Sequence, residues 1–189
     1  GVERNTSPTN PFRASAGPGG YNGGERRSVA AHTGERGGNM AIYVLSDVHG
    51  HKAALDEALA LASPGDDDSI YVLGDMVDRG PDPLGVIQLV RSLPNARVLM
   101  GNHERMLVDI LTGTGEMDNF TWALNGGVAT ALGLDALDKD ELAELVGWVA
   151  ALPLYEVVDT ESRRYILVHA GIDALEARGF LATAGIDVS

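Results

Sequence analysis

From Met40 onward, short apolar segments alternate with longer segments that carry apolar residues on one helical face. Residues 42–45 form the first apolar segment. In residues 51–62, which follow it, alanines and leucines recur at the three- and four-residue spacing of a helix. Ser63-Pro64-Gly65 then ends the helical pattern. This alternation predicts an α/β fold with a largely parallel sheet.

The same pattern continues to the last third of the chain. The predicted strands are residues 42–45, 70–73, 97–100, 154–158 and 165–168, and the predicted helices are residues 51–62, 84–93, 104–111, 120–132 and 138–152. Gly126 and Gly127 are expected to interrupt the helix at 120–132.

The first 39 residues differ in composition from the rest. They contain nine of the 24 glycines and no Leu or Ile, and their net charge is +2 against −15 for the remainder. Such a segment buries too little apolar surface to offset the entropy lost on ordering. Residues 1–39 are therefore predicted to be a disordered N-terminal extension, either a translated leader or an added segment. Residues 40–189 would be the folded domain.

The chain has 189 residues, no cysteine and a formal net charge of −13. The lack of cysteine excludes a disulfide framework, a zinc finger and a thiol nucleophile. The acidity argues against nucleic acid or an anionic membrane as a partner, and no apolar run is long enough to span a membrane. We expect a soluble protein of the reducing cytoplasm.

Polar motifs follow four of the predicted strands. In chain order they are Ser46-Asp47-Val48-His49-Gly50, Gly74-Asp75-Met76-Val77-Asp78-Arg79-Gly80, Gly101-Asn102-His103-Glu104 and His169-Ala170-Gly171. Loops at the carboxyl ends of strands in an α/β sheet converge on one crevice. The motifs would thus bring together two aspartates, one asparagine and three histidines: Asp47, Asp75, Asn102, His49, His103 and His169. Oxygen and imidazole ligands without thiolate suit Mn, Fe or Zn in an open catalytic site.

Each motif also has an ordinary structural interpretation. Asp and Gly after a strand are common turn residues, and Asn102 could cap a helix. Arg79 could form a surface ion pair, and His169 could be a hydrogen-bonded core histidine. All four motifs together, each at a strand end, favour one functional site.

The sequences SDVHG, GDMVDRG, GNHE and HAG resemble the motifs of the PPP family of phosphoprotein phosphatases, within the calcineurin-like metallophosphoesterases. Ser46 replaces the first glycine of the family pattern. The resemblance covers Met40 to about Ile172, and WALNGG at residues 122–127 is similar to bacterial members. It implies a calcineurin-like β-sandwich flanked by helices.

The resemblance also implies two divalent metal ions, with Mn expected and Fe or Zn as alternatives. Asp47 and His49 would bind the first metal, Asp75 would bridge both, and Asn102 and His169 would bind the second. A hydroxide bridging the metals would attack phosphorus in line.

Three further roles follow from the same resemblance. Arg79 would bind phosphoryl oxygens with its bidentate guanidinium, together with Asn102 and His103. His103 would protonate the leaving alkoxide, and Asp78 would orient its imidazole. Glu104 is expected to support its loop rather than touch substrate.

The family pattern has a further second-metal histidine after the HAG motif, and this sequence has no histidine after His169. His51 is expected at the start of the first helix and does not replace it. We therefore interpret the chain as the N-terminal portion of a phosphatase domain whose C-terminal part is missing. A chain extended through its natural reading frame is expected to bind two Mn²⁺, and this one fewer.

Three functions remain open at this stage. The leading one is a metal-dependent phosphomonoesterase acting on phosphoserine or phosphothreonine proteins, or on small phosphoesters. The second is hydrolysis of dinucleoside polyphosphates such as diadenosine tetraphosphate. Relatives with that activity often have Ala before the arginine of the second motif, so Asp78 favours the first function. The third is a truncated, non-catalytic domain that binds metal or phosphate.

Overall fold

The structure is a computed structural model, and it describes residues 40–161 and 163–171. Strands and helices alternate through most of that part of the chain. In order they are β1 (Ile42–Leu45), α1 (Lys52–Ala62), β2 (Ser69–Val72), α2 (Pro83–Ser92), β3 (Ala96–Val98), α3 (Asn102–Thr112), α4 (Asn119–Leu124), α5 (Val128–Leu134), α6 (Lys139–Ala150), β4 (Tyr155–Asp159) and β5 (Arg164–Val168).

The strands form two sheets within the described residues. β1, β2 and β3 pair in parallel in that order, with α1 and α2 as the crossover helices. β4 and β5 pair antiparallel. The backbone N–H of Met100, just after β3, donates to the carbonyl of Pro153, just before β4, at 2.8 Å. The predicted α/β architecture is confirmed.

Buried residues continue from the strands into the loop that follows β2. Val72 at the end of the strand and Met76 and Val77 in the loop are all fully buried, as is Leu99 after β3. The loop that carries Asp75 and Asp78 is therefore packed into the core rather than lying over it, and its polar side chains are held by close packing.

The helix starts follow from side chains in the sequence. The Asp82 carboxylate accepts a hydrogen bond from the Gly85 N–H at 2.9 Å, and Pro83 occupies the first turn of α2. Before α6, Asp138 accepts from the Glu141 N–H at 2.9 Å, and the Glu141 carboxylate accepts from the Asp138 N–H at 2.9 Å. Such reciprocal capping satisfies N–H groups that a helix start leaves unpaired.

The structure shifts one predicted helix start and confirms one predicted interruption. Asn102 and His103 were predicted to lie in a loop before the third helix, but they form the first turn of α3. The helix predicted at 120–132 is interrupted at Gly126 and Gly127, as expected, and forms two helices, α4 and α5. Gly126 between them has φ +99°, which a right-handed helix cannot contain.

The predictions for residues 1–39 and for the chain beyond residue 171 lie outside the described residues. Among the helices of the described part, the longest has 12 residues, and none is long and apolar enough to cross a bilayer.

Candidate metal centre

The loops after β1 and β2 place their polar residues on an unusual backbone. Asp47, His49, Asp75, Asp78 and Arg79 have φ between 45° and 67°, the left-handed region that non-glycine residues rarely adopt. The two loops hold each other in this form: the His49 N–H donates to the Asp75 carbonyl at 2.8 Å. Strained backbone of this kind clusters at functional sites.

Glu104, on the first turn of α3, fixes the loop after β2. Its buried carboxylate accepts hydrogen bonds from the N–H groups of Asp75, Met76 and Gly101 at 2.7–2.9 Å and from that of Val77 at 3.3 Å. Burial raises the pKa of Glu104, and the hydrogen bonds from Asp75, Met76 and Gly101 oppose part of that rise. Glu104 thus supports the loop after β2 as well as the start of its own helix.

Two histidines have one ring nitrogen bonded to the backbone and the other turned into the site. The Nδ1 atom of His49 lies 2.9 Å from the Val77 carbonyl oxygen, and that of His169 lies 2.6 Å from the Leu73 carbonyl oxygen. A carbonyl oxygen only accepts, so both Nδ1 atoms carry a proton, and it is the Nε2 atom of each ring that faces the site. This is the usual orientation of metal-binding imidazoles.

Oxygen atoms surround these two Nε2 atoms. Asp75 lies between the histidines, with one carboxylate oxygen 3.5 Å from His49 Nε2 and the other 3.4 Å from His169 Nε2. The amide oxygen of Asn102 is 2.9 Å from His169 Nε2, and an Asp47 oxygen is 4.0 Å from His49 Nε2. These oxygen and nitrogen acceptors face one another, and a cation bound between them would interact favourably with all of them.

The five predicted metal ligands therefore lie in one place, on loops and element ends from both sheets. Among the described residues, two groups have ligand atoms within 4.8 Å of one another. Their members are His49, Asp75 and His103 in one group, and Asp47, Asp75 and His169 in the other. Asp75 belongs to both groups, as a bridging carboxylate would. Asp47 lies in the group with His169, and one of its oxygens is also 4.0 Å from Nε2 of His49, its expected partner. The donor set fits divalent metal ions.

Burial is the main cause that lowers the pKa of His49, and the Arg79 and His103 charges act in the same direction. The hydrogen bond to the Val77 carbonyl and the charge of Asp75 oppose that effect. A histidine with a lowered pKa stays neutral, which is the form that binds metal.

Arg79 connects this cluster to His103. Its Nη1 atom lies 3.0 Å from His49 Nε2, and its Nη2 atom lies 3.0 Å from His103 Nε2. The guanidinium is always charged and only donates, so both imidazoles accept from it. The two histidine rings meet edge to face, with centroids 4.7 Å apart.

His103 and Asp78 form a buried pair next to the cluster. The His103 Nδ1 atom is 2.7 Å from an Asp78 carboxylate oxygen, and both side chains are almost fully buried. Trp122 Nε1 donates to the same oxygen at 3.0 Å, and Thr130 Oγ1 donates to the other oxygen at 2.6 Å. Sequence reasoning predicted the pair but not these two partners.

The turn between α4 and α5 also contacts the second motif. The Arg79 N–H donates to the Gly126 carbonyl at 2.9 Å, and a Cβ at Gly126 would lie 2.7 Å from Arg79 Cγ. The WALNGG sequence at residues 122–127 was noted for its similarity to bacterial members of the family. In the structure, Trp122 of this sequence contacts Asp78 and Gly126 contacts Arg79, so the WALNGG sequence supports the second motif.

Residues 40–185 match the calcineurin-like phosphoesterase family. The chain belongs to this family. The match spans well over half of the chain and includes every predicted site residue. Family membership implies divalent metal ions, consistent with the two ligand groups described above.

Curated relatives of this metallophosphoesterase chain include two bacterial enzymes. The symmetrical bis(5'-nucleosyl)-tetraphosphatase of Erwinia tasmaniensis is 31% identical over 138 residues, which are 70% of this chain and 45% of that protein. The enzyme of the same name from Salmonella typhimurium is 34% identical over 141 residues, covering 70% and 44%. The chain thus spans less than half the length of these relatives.

A solved metallophosphoesterase structure from Sphaerobacter thermophilus is 28% identical to the chain, with a TM-score of 0.43. The match covers 64% of this chain and 43% of that one.

These comparisons confirm the expected calcineurin-like family and leave the protein phosphatase assignment unsupported. The named relatives are dinucleoside tetraphosphatases, the class that sequence reasoning placed second.

Proposed function

We propose that this chain carries the metal-dependent phosphoesterase site of a dinucleoside polyphosphate hydrolase. The observation that carries the substrate class is the 31% and 34% identity to symmetrical bis(5'-nucleosyl)-tetraphosphatases. The reaction class rests on the cluster of carboxylate, amide and imidazole groups beside Arg79. Symmetrical cleavage of a dinucleoside tetraphosphate would give two nucleoside diphosphates.

The residues that would hold divalent ions, for which Mn²⁺ is our proposal, are Asp47, His49, Asp75, Asn102 and His169. The second ion would have one ligand fewer than the family pattern, because no histidine follows His169 in this sequence. Such ions, when bound, neutralise phosphate charge and make water a nucleophile at neutral pH. Asp75 lies within 3.5 Å of the Nε2 atoms of both histidines. The Asp75 carboxylate could therefore contribute a ligand both to an ion bound at His49 and to an ion bound at His169.

Arg79 is the proposed phosphate-binding residue. Its two terminal nitrogens are aimed between His49 and His103, and a phosphoryl group there would offer paired oxygens to the same guanidinium. The Arg79 side chain would exchange imidazole acceptors for phosphate oxygens when substrate binds. Asn102 and His103 are the further residues proposed to contact this phosphate, and His103 Nε2 lies 3.0 Å from Arg79 Nη2.

His103 is the proposed proton donor to the leaving oxygen. Its Nδ1 proton is held by Asp78, so Nε2 is the atom that would deliver a proton to substrate, after Arg79 has turned to phosphate and Nε2 has taken up a proton from water. The Nε2 atom faces Arg79, which places it next to the bound phosphate.

The buried Asp78–His103 pair favours a second candidate, hydrolysis of phosphoserine or phosphothreonine proteins. A serine alkoxide is a far poorer leaving group than a nucleoside diphosphate, so it needs a proton donor more. An imidazole oriented by a fully buried carboxylate provides one.

Hydrolysis assays with Mn²⁺ would discriminate between the two substrates. Diadenosine tetraphosphate and a phosphothreonine peptide are offered at equal concentration to the wild type and to Arg79→Ala. The products are followed by chromatography. We expect ADP from the dinucleotide, and a loss of about 100-fold or more in Arg79→Ala. Arg97→Ala is the control because Arg97 is exposed and pairs with Glu156, away from the site.

Faster turnover of the peptide would replace the first candidate with the second. Failure to hydrolyse either substrate with Mn²⁺, Fe²⁺ or Zn²⁺ would refute a phosphoesterase function for this chain. In that case the non-catalytic alternative would stand. Cytoplasmic location and the absence of nucleic-acid or membrane partners stay predictions.

A further inference from the structure

Asp78 is fully buried, and its carboxylate is surrounded by side-chain donors from three different helices. His103 comes from α3, Trp122 from α4 and Thr130 from α5. An ionised carboxylate at zero exposure is stable only when such donors replace water. The two helices that follow α3 therefore complete the environment of Asp78.

Thr130 holds Asp78 at two points. Its hydroxyl donates to the carboxylate oxygen Oδ1 at 2.6 Å, and the same hydroxyl oxygen accepts the Asp78 N–H at 3.0 Å. Because the Thr130 oxygen accepts the Asp78 N–H on one side, its own proton points away from that N–H and toward Oδ1. This reciprocal pair fixes the side chain of a residue whose backbone is left-handed, at φ 67°.

Trp122 fixes the other carboxylate oxygen. Its indole N–H and the His103 Nδ1–H both donate to Oδ2, at 3.0 and 2.7 Å. The ring is seated on Gly127, where a Cβ would lie 2.4–2.5 Å from indole atoms. Rotation of the carboxylate about its axis would break the bonds to Thr130 and Trp122 together.

We propose that Trp122 and Thr130 are positioning residues, which hold Asp78 so that His103 keeps its proton on Nδ1 and turns Nε2 to the leaving group. The role in catalysis rests on the function proposed above. The geometry of the Asp78–His103 pair is independent of that function. Without the Thr130 hydroxyl, Oδ1 and the Asp78 N–H both lose their partner, and the carboxylate can turn away from His103.

Histidine NMR of this 189-residue chain tests the positioning directly. The protein is labelled with ¹⁵N-histidine, and His103→Gln identifies the ring signals of His103. We expect the wild-type signals to report the Nδ1-protonated form. In Thr130→Val they should shift to a mixture of both tautomers, and the same is expected in Trp122→Phe. Thr130→Ser keeps the hydroxyl and should restore the wild-type signals.

The matched control for the indole is Trp148→Phe. Trp148 is the only other tryptophan in the sequence, lies on α6 and packs against Arg91, with no bond to Asp78. Its substitution should leave the His103 signals unchanged. Wild-type His103 signals in both Thr130→Val and Trp122→Phe would overturn the proposal. If Trp122→Phe fails to fold, the Thr130→Val and Thr130→Ser pair decides the result.

Aryl phosphates with a graded series of leaving groups then test the consequence for catalysis. With Mn²⁺, we expect kcat of Thr130→Val to fall at least tenfold for phenyl phosphate, little for 2,4-dinitrophenyl phosphate, and KM to stay constant. Equal losses for both esters would show that Thr130 does not act through His103. A changed NMR signal in a chain with no hydrolysis would refute the proposed function while leaving the positioning intact.

Discussion

At the scale of single residues, Glu104 is the side chain on which most of the site's backbone depends. Its two carboxylate oxygens accept four backbone N–H groups from two loops. Glu104→Gln replaces one oxygen with a donor, which leaves about two of those N–H groups without an acceptor. We expect the free energy of unfolding to fall by about 2–4 kcal/mol, measured by urea denaturation at neutral pH.

Glu57→Gln provides the control for this substitution because Glu57 lies exposed on α1. Its stability should differ from wild type by less than about 0.5 kcal/mol. A stable Glu104→Gln protein would mean that the loop after β2 keeps its left-handed conformation without this carboxylate.

His49 should make stability depend on pH. Because its pKa is lowered, the His49 ring stays neutral in the folded state at pH values where the same ring in the unfolded chain, with its ordinary pKa of 6.5, takes up a proton. The unfolded state then binds more protons, so stability falls as the pH drops below about 6.5.

In His49→Gln this contribution is absent. With EDTA present, the variant should therefore gain stability relative to wild type between pH 8 and pH 5, as measured by urea denaturation at both pH values. If the difference in free energy of unfolding between His49→Gln and wild type were the same at pH 8 and pH 5, the lowered pKa of His49 would be contradicted.

At the scale of elements, the sequence pattern placed the α4–α5 turn but not its contact with Arg79. Gly126 has φ +99°, and an added Cβ would lie 2.7 Å from Arg79 Cγ and 3.0 Å from its backbone nitrogen. Gly126→Ala is therefore expected to displace Arg79 and raise KM for phosphate substrates at least tenfold. Inorganic phosphate inhibition measures the same loss of affinity.

Gly147→Ala is the paired substitution because a Cβ there meets nothing within 4 Å and the residue lies inside α6. It should stabilise the protein by roughly 0.5–1 kcal/mol through helix propensity, with KM unchanged. Equal effects of the two substitutions on KM would show that the turn does not position Arg79.

The elements themselves followed from local pattern. Strands β1, β2 and β3 and helices α1, α2 and α6 lie within about two residues of their predicted positions, because apolar spacing and capping residues act over short distances. The Asp78 contacts with Trp122 and Thr130 join residues 44 and 52 positions apart. A single sequence does not show which distant residues contact each other. The left-handed backbone at Asp75 and Arg79 could not be predicted either, because neither residue is a glycine.

At the scale of the whole molecule, the candidate site joins the two sheets. Asp75 follows a strand of the parallel sheet, and His169 follows β5 of the antiparallel sheet. The His169 ring also donates to the Leu73 carbonyl at 2.6 Å. Ligands from both sheets exist together only in the folded state, so a metal ion bound there favours folding over unfolding.

This coupling predicts that Mn²⁺ raises the unfolding temperature. At a metal concentration about 100 times Kd the gain is about 2.7 kcal/mol, which is about 5–10 °C for a chain of this size. Differential scanning calorimetry with Mn²⁺ and with EDTA measures it. Asp75→Asn should lose most of the shift because Asp75 contacts both histidines. Asp56→Asn, in an exposed ion pair on α1, should keep it. If both variants kept the full shift, the ion would be bound by the acidic surface of a chain with net charge −13 rather than by the candidate site.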